Sequence, residues 1–340
     1  MRKLILSNFQ SPGDIVMLTA AVRDLHRCYP GQFQTDVRTP CPPLWHHNPF
    51  LTRLDPAAPG VQLVKCEYPL IHRSNHEPWH FIHGFIAFLN SLLGLAIRPT
   101  AFRGDLHLAP EEKTWMSQIQ ELVGAPVPFW IVSAGGKYDF TIKWWATERF
   151  QAVVDHFRDR IAFVQVGEAA HHHLPLRGVI DLRGRTDLRQ LVRLVHHSQG
   201  VLGPVSLLMH LAAAVEVRPG MPLNRPAVIV AGGREPANWE AYPHHQYLHT
   251  NGALRCCDAG GCWKSRTVPL GDGDPKDRPE NLCVDVVGSL PRCMDLIRPA
   301  DVIRAIERYF AGGSVRYLTA AESALIQAAG VMTAGGPGPF

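Results

Sequence analysis

An α/β fold in two halves, each a parallel sheet flanked by helices, follows from three observations on this chain. Short apolar runs alternate with amphipathic stretches along most of its 340 residues, which is the pattern of strand–helix–strand units. That length exceeds what one hydrophobic core usually serves. Between Gly124 and Pro128 two prolines, Pro126 and Pro128, stiffen the backbone and forbid a continuing helix, so the chain divides there.

The first half, residues 1–125, opens with a strand over 3–9. Ile15, Leu18, Val22 and Leu25 then recur at helical spacing until Pro30 stops the helix, and 34–38 and 61–68 are further strands. The most apolar stretch, Phe81 to Ile97, is interrupted by His83, Asn90 and Ser91 and falls short of a membrane span, so it reads as a buried or groove-lining helix. A helix over 110–123 closes this half. The second half, residues 129–310, has strands at 129–133, 161–166, 179–182, 200–203 and 227–231, with helices over 147–158, 187–197 and 207–215. Its last helix, 299–310, carries Val302, Ile303, Ile306 and Phe310 on one side. Both halves are thus Rossmann-like. The tail, 311–340, holds a short helix over 320–329 and ends in AGGPGPF, which offers too few packing residues to be ordered.

A net charge of +4, with Lys and Arg scattered among acids, leaves no footprint for a nucleic acid and favours a small anionic ligand. The apolar run Leu4-Ile5-Leu6 is too short for a secretory signal, so the expected compartment is the cytoplasm. Disulfides are not expected there. Cys28, Cys41 and Cys66 stand singly and read as small buried hydrophobes, but the other five cysteines fall within residues 255–294, a polar, Gly-rich stretch unable to build a core. Thiolates about 2.3 Å from a tetrahedral ion fold such a loop. Cys257, Cys262, Cys283 and Cys293, with Cys256 as the alternative to Cys257, are the candidate ligands of a structural iron or zinc. Four thiolates leave no open position for substrate, so this metal is not expected to be catalytic.

Four further segments carry candidate chemistry. Ser11-Pro12-Gly13-Asp14 lies between the first strand and first helix, where open parallel sheets bind ligands; it also reads as a capping box, with Ser11 as the cap. The loop from Ala134 to Trp145 brings Gly135 and Gly136, which allow close backbone approach, and Lys143, a point charge suited to a phosphate. Glu168 ends a strand where a carboxylate can accept ribose hydroxyls, and the adjacent His171, His172 and His173 are expected to face solvent. Ser206 opens an Ala-rich helix whose free N–H groups point at the cleft.

In this order, SPGD14, GGKYDFTIKWW, VGE168 and GPVSLLMHLAAA resemble the ADP-heptose heptosyltransferases of glycosyltransferase family 9, over residues 1–310. The insert with GGCWKSR and PRCM is similar to the iron finger of the autotransporter heptosyltransferase subset. The resemblance implies a GT-B architecture: an N-terminal acceptor domain and a C-terminal nucleotide-sugar domain facing a cleft. It implies that Asp14 is the general base of an inverting transfer, that Lys143 holds the diphosphate with no catalytic divalent metal, and that Glu168 binds ribose. Ser11, Gly13, Gly135, Gly136, Thr141, Ser206 and His210 are the remaining substrate-binding positions. Where the family commonly reads Asp-Thr-Gly, this chain has Val205-Ser206-Leu207. The implied donor is ADP-heptose and the acceptor a protein or glycan, and self-association is implied without a subunit count. The alternatives are a non-catalytic scaffold that uses the finger for protein contact, or a thiolate-iron redox protein.

Overall fold

Arg2–Ser7 forms β1, whose buried Leu4, Ile5 and Leu6 make it the middle strand of a parallel sheet in the order β2-β1-β3. The structure is a computed structural model that describes residues 1–332. β2 is Phe33–Arg38 and β3 is Val61–Lys65, both in parallel register with β1. Between β1 and β2 runs α1, Pro12–Cys28, with Pro12 in its first turn, where a missing N–H costs nothing. Helix α2, Ile82–Leu93, buries Ile82, Phe85 and Leu89 and stops at Gly94 in the left-handed region, φ 68°. The single helix expected over 110–123 is instead two, α3 (Pro110–Thr114) and α4 (Gln118–Val123). Trp115 is extended, and the Ser117 hydroxyl accepts from the Gln120 amide at 2.9 Å, starting a new helix.

The second sheet has six parallel strands in the order β6-β5-β4-β7-β8-β9. They are β4 (Phe129–Val132), β5 (Ala162–Gln165), β6 (Ile180–Asp181), β7 (Gly200–Pro204), β8 (Ala227–Gly232) and β9 (His245–His249). Every residue of β4, β5, β7 and β8 is buried, as expected of strands covered on both faces. The flanking helices are α5 (Thr147–His156), α6 (Leu188–His197) and α7 (Leu207–Ala214). The sixth strand, β9, is absent from the sequence reading because His-Gln-Tyr-Leu-His is polar and only half-buried.

Strand order reverses direction at β1 in one sheet and beside β4 in the other, so each has its switch point, the usual ligand crevice, at the carboxyl end of an interior strand. Asp14 follows β1 and Lys143 follows β4. The two predicted motifs therefore emerge where each topology opens.

After the short α8 (Ala237–Glu240) and β9, residues 255–291 are turns and a small hairpin, β10 (Val286–Val287) with β11 (Leu290–Pro291). α9 (Arg292–Asp295) and α10 (Pro299–Ala311) follow. The tail is docked as far as it is described: α11 (Ala320–Ala328) buries Ile326, and the Leu318 amide donates to the Arg160 carbonyl at 2.9 Å. The closing AGGPGPF lies outside the described residues. Among those residues, no helix is long and apolar enough to cross a membrane.

Candidate active site

A cavity of about 720 Å³ lies between the carboxyl ends of the two sheets, a size suited to a small-molecule ligand. Ser11, Gly13, Asp14, Gly135, Gly136, Lys143, Glu168, Ser206 and His210 all line it. Thr141 does not. Its hydroxyl accepts from the Thr267 amide at 2.9 Å, so the predicted substrate contact is instead a tie to the Cys-rich insert.

The capping box expected at α1 does not form. Ser11 is the extended N-cap residue, but its hydroxyl makes no cap hydrogen bond and meets Lys137 Nζ at 3.1 Å. The Asp14 carboxylate accepts from Tyr68 Oη at 2.8 Å and is also near the backbone amides of Ser11 and Asp14. Burial raises the pKa of Asp14 above the ordinary carboxylate value, against the opposing pull of Tyr68 and of the Lys143 charge. Two groups from opposite sheets therefore share one electrostatic field.

Lys143 ends a short turn, Tyr138–Lys143, and its ammonium pairs with Glu235 Oε1 at 2.5 Å. Arg234 binds the same carboxylate. Burial opposes ionisation of Glu235, yet Arg234 and Lys143 together hold its carboxyl below the usual range. Glu240 behaves oppositely: burial first, then the Glu235 charge, pushes it up to about 8, toward the neutral acid. His210 is held near 3 by burial and by the nearby His80 and Lys143, and is a neutral imidazole. Its Nδ1 bonds Tyr242 Oη at 2.8 Å, and Nε2 is 3.7 Å from Glu240. A Cβ on Gly13 would stand 2.9 Å from the His210 ring, so glycine is required where α1 passes it.

The glycine loop has a different reason from the one expected. Gly135, at φ 142°, lies where a Cβ would come within 1.8 Å of the His172 carbonyl oxygen, so its freedom serves the approach of residues 171–173. Those histidines are half-buried rather than solvent-facing. His172 stacks on Trp144 with ring centroids 4.1 Å apart, while His171 and His173 line the cavity and burial drops His173 to about 4. Buried side-chain atoms without a hydrogen-bond partner also occur on residues lining the cavity: Ser206 Oγ, His173 Nδ1, and one oxygen each of Glu235 and Glu240. A ligand with several hydroxyls would satisfy such a set.

Tyr68, Glu235 and Glu240 were missed in the sequence, although a signal existed. Tyr68 follows β3, and the two glutamates follow β8 and Gly232-Gly233, so all sit beyond carboxyl ends of parallel strands.

In the Cys-rich insert, Cys256, Cys262, Cys283 and Cys293 surround a small cavity of about 10 Å³. Cys257, expected among the ligands, is turned away: its thiol donates toward the carbonyls of Leu254 and Thr250, at 3.4 and 3.5 Å. Cys256 takes its place on the cavity wall. Among the described residues no group of three or more His, Cys, Asp or Glu side chains is assembled to hold a metal ion.

The model of glycosyltransferase family 9 (heptosyltransferase) matches residues 103–246. A comparison with curated proteins finds no match. Among solved structures, the glycosyl transferase family 9 protein of Veillonella parvula DSM 2008 is 13% identical, with a TM-score of 0.60 over 92% of this chain and 98% of its own. E. coli ADP-heptose LPS heptosyltransferase II is 15% identical, with a TM-score of 0.55 over 93% and 100%. TibC, the iron-containing dodecameric glycosyltransferase of enterotoxigenic E. coli H10407, is 16% identical, with a TM-score of 0.60 over 92% and 76%. At these identities the structural likeness is one of fold. Across residues 103–246 the chain carries the sequence pattern of glycosyltransferase family 9, and it is a glycosyltransferase.

Proposed function

We propose that this enzyme transfers heptose, with inversion, from ADP-heptose to a hydroxyl of a protein or glycan in the cytoplasm. The observation that carries this reading is the shared field of Asp14 and Lys143, brought from separate sheets onto one cavity. Asp14 accepts the proton of the acceptor hydroxyl as its oxygen bonds the anomeric carbon. The bond from that carbon to the diphosphate breaks, and ADP leaves with the electron pair beside Lys143. The two sheets are read as centres of an acceptor domain, residues 1–125, and a donor domain, residues 129–310. TibC has been solved in complex with ADP-D-β-D-heptose, which supports the choice of donor.

For the insert, we propose a structural iron or zinc bound by Cys256, Cys262, Cys283 and Cys293. Four soft donors around one small cavity are the right number and kind for a closed tetrahedral site. Such an ion supplies cross-linking of the loop and takes no part in transfer.

The test is incubation with ADP-heptose and candidate acceptors, following ADP release and the anomeric configuration of the product. Asp14→Asn is expected to abolish turnover while ADP still binds. Turnover equal to wild type removes Asp14 as the base, and a product of retained configuration removes direct displacement.

A further inference from the structure

We propose that the Cys-rich insert is one wall of the donor site and that its Lys276 binds the second phosphate of a nucleoside diphosphate. This rests on the donor reading above and deepens it. Lys276 and Trp263, both from the insert, line the same cavity as Lys143 and Arg234. Three cations surround one aromatic ring: from the Phe140 centroid, Arg234 Cζ is 4.8 Å, Lys143 Nζ 5.7 Å and Lys276 Nζ 5.9 Å away. Among the described residues, the carboxylate paired with Lys143 and Arg234 is the buried Glu235, one negative charge for two positive ones. Lys276 is held by Asp274 at 3.1 Å and, more weakly, by the half-exposed Asp139 at 3.9 Å. Neutral sugar hydroxyls need no such concentration of cations. Two linked phosphates do.

The insert also fixes the turn that carries Lys143. The Thr267 amide and hydroxyl bond the Thr141 hydroxyl and carbonyl at 2.9 and 3.2 Å, and the Ile142 amide donates to the Ser265 carbonyl at 3.3 Å. Arg234 Nε donates to the Lys264 carbonyl at 2.6 Å, so both cations bound to Glu235 are anchored to insert backbone. Within the insert, the buried Arg266 gathers Asp272 and Asp277, and Asp277 in turn accepts the Leu270 and Gly271 amides. These bonds hold Lys276 in its place on the wall with little dependence on its own side chain.

The experiment is calorimetric titration of the full-length protein with ADP and with AMP. Lys276→Ala is expected to raise the ADP Kd about tenfold while the AMP Kd stays within about twofold, and Lys276→Arg is expected to restore most ADP affinity. Lys276→Glu, also a change at a partly exposed side chain, should weaken ADP at least as much. An unchanged ADP Kd in Lys276→Ala overturns the proposal, as does an equal loss for AMP, which would place Lys276 at the nucleoside end or in folding. Wild-type protein that binds neither nucleotide overturns the donor reading itself, a result distinct from normal ADP binding in the variant.

Discussion

Replacing Tyr68 with Phe isolates what favours the ionised form of the Asp14 carboxylate, the proposed base. The ring is packed edge-on against Phe81 and Phe85, with centroids 4.8 and 5.3 Å apart, so phenylalanine keeps the aromatic cluster and removes one oxygen. Tyr68 Oη donates to Asp14 at 2.8 Å and accepts from Gln10 Nε2 at 2.8 Å. A hydrogen bond to an ionised group contributes about 1.5–3 kcal/mol. Its loss therefore shifts the proton equilibrium of Asp14 by a similar amount toward the neutral acid. The sign follows from the existing balance: burial raises the Asp14 pKa and the Tyr68 bond lowers it, so deletion raises it further. A base is active only when ionised. The acid limb of kcat/KM should then move to higher pH, with a rate deficit that shrinks as pH rises, while the ADP Kd is unchanged. An acid limb that stays in place, or a deficit equal at every pH, refutes the argument.

Two other perturbations read separate parts of the molecule. Glu240 is pushed from 4.5 up to about 8, so the folded state keeps a proton that the unfolded chain has already released, and that stabilisation is lost as pH rises from about 4.5 to about 8. Glu240→Gln should flatten the fall of Tm over that interval; parallel Tm–pH curves for the two proteins would show that Glu240 does not titrate there. In the insert, Cys256→Ser should lower bound iron or zinc in elemental analysis, whereas Cys257→Ser should retain the metal and lose only stability, because the Cys257 thiol faces carbonyls. Equal metal loss in both variants would refute this choice of ligands.

The parallel strands were legible because burial on both faces makes them continuous apolar runs, as in Phe129–Val132 and Ala227–Gly232. The same rule fails for His245–His249, a half-buried edge strand whose polar residues carry no such signal. The placement of Asp14 and Lys143 on the cavity was legible through topology, since each follows a strand at a switch point. The capping reading of Ser11 was lost to tertiary contact: Lys137, distant in sequence, engages its hydroxyl. Thr141 lies in the right loop, but its contact with Thr267 crosses 126 positions, and local pattern holds no record of it. Lys276 is hidden for a like reason. In an irregular loop only the network around Arg266 decides which lysine reaches the cavity.

Glu235 makes sense of the charge arrangement as a whole. Two cations packed beside a buried cavity without a counterion would repel each other and carry a large desolvation cost. A single fully buried carboxylate shared by Lys143 and Arg234 lowers that cost and fixes both side chains before ligand arrives. It cannot neutralise both. The Glu235 oxygen that has no protein partner is left beside the two cations, open to a hydrogen-bond donor of a ligand. Burial and the Glu235 charge push Glu240 toward the neutral acid. A second ionised glutamate there would repel both Glu235 and Asp14, the group whose negative charge the proposed reaction needs. The upward shift of Glu240 and the proposed role of Asp14 as proton acceptor therefore belong to one electrostatic arrangement.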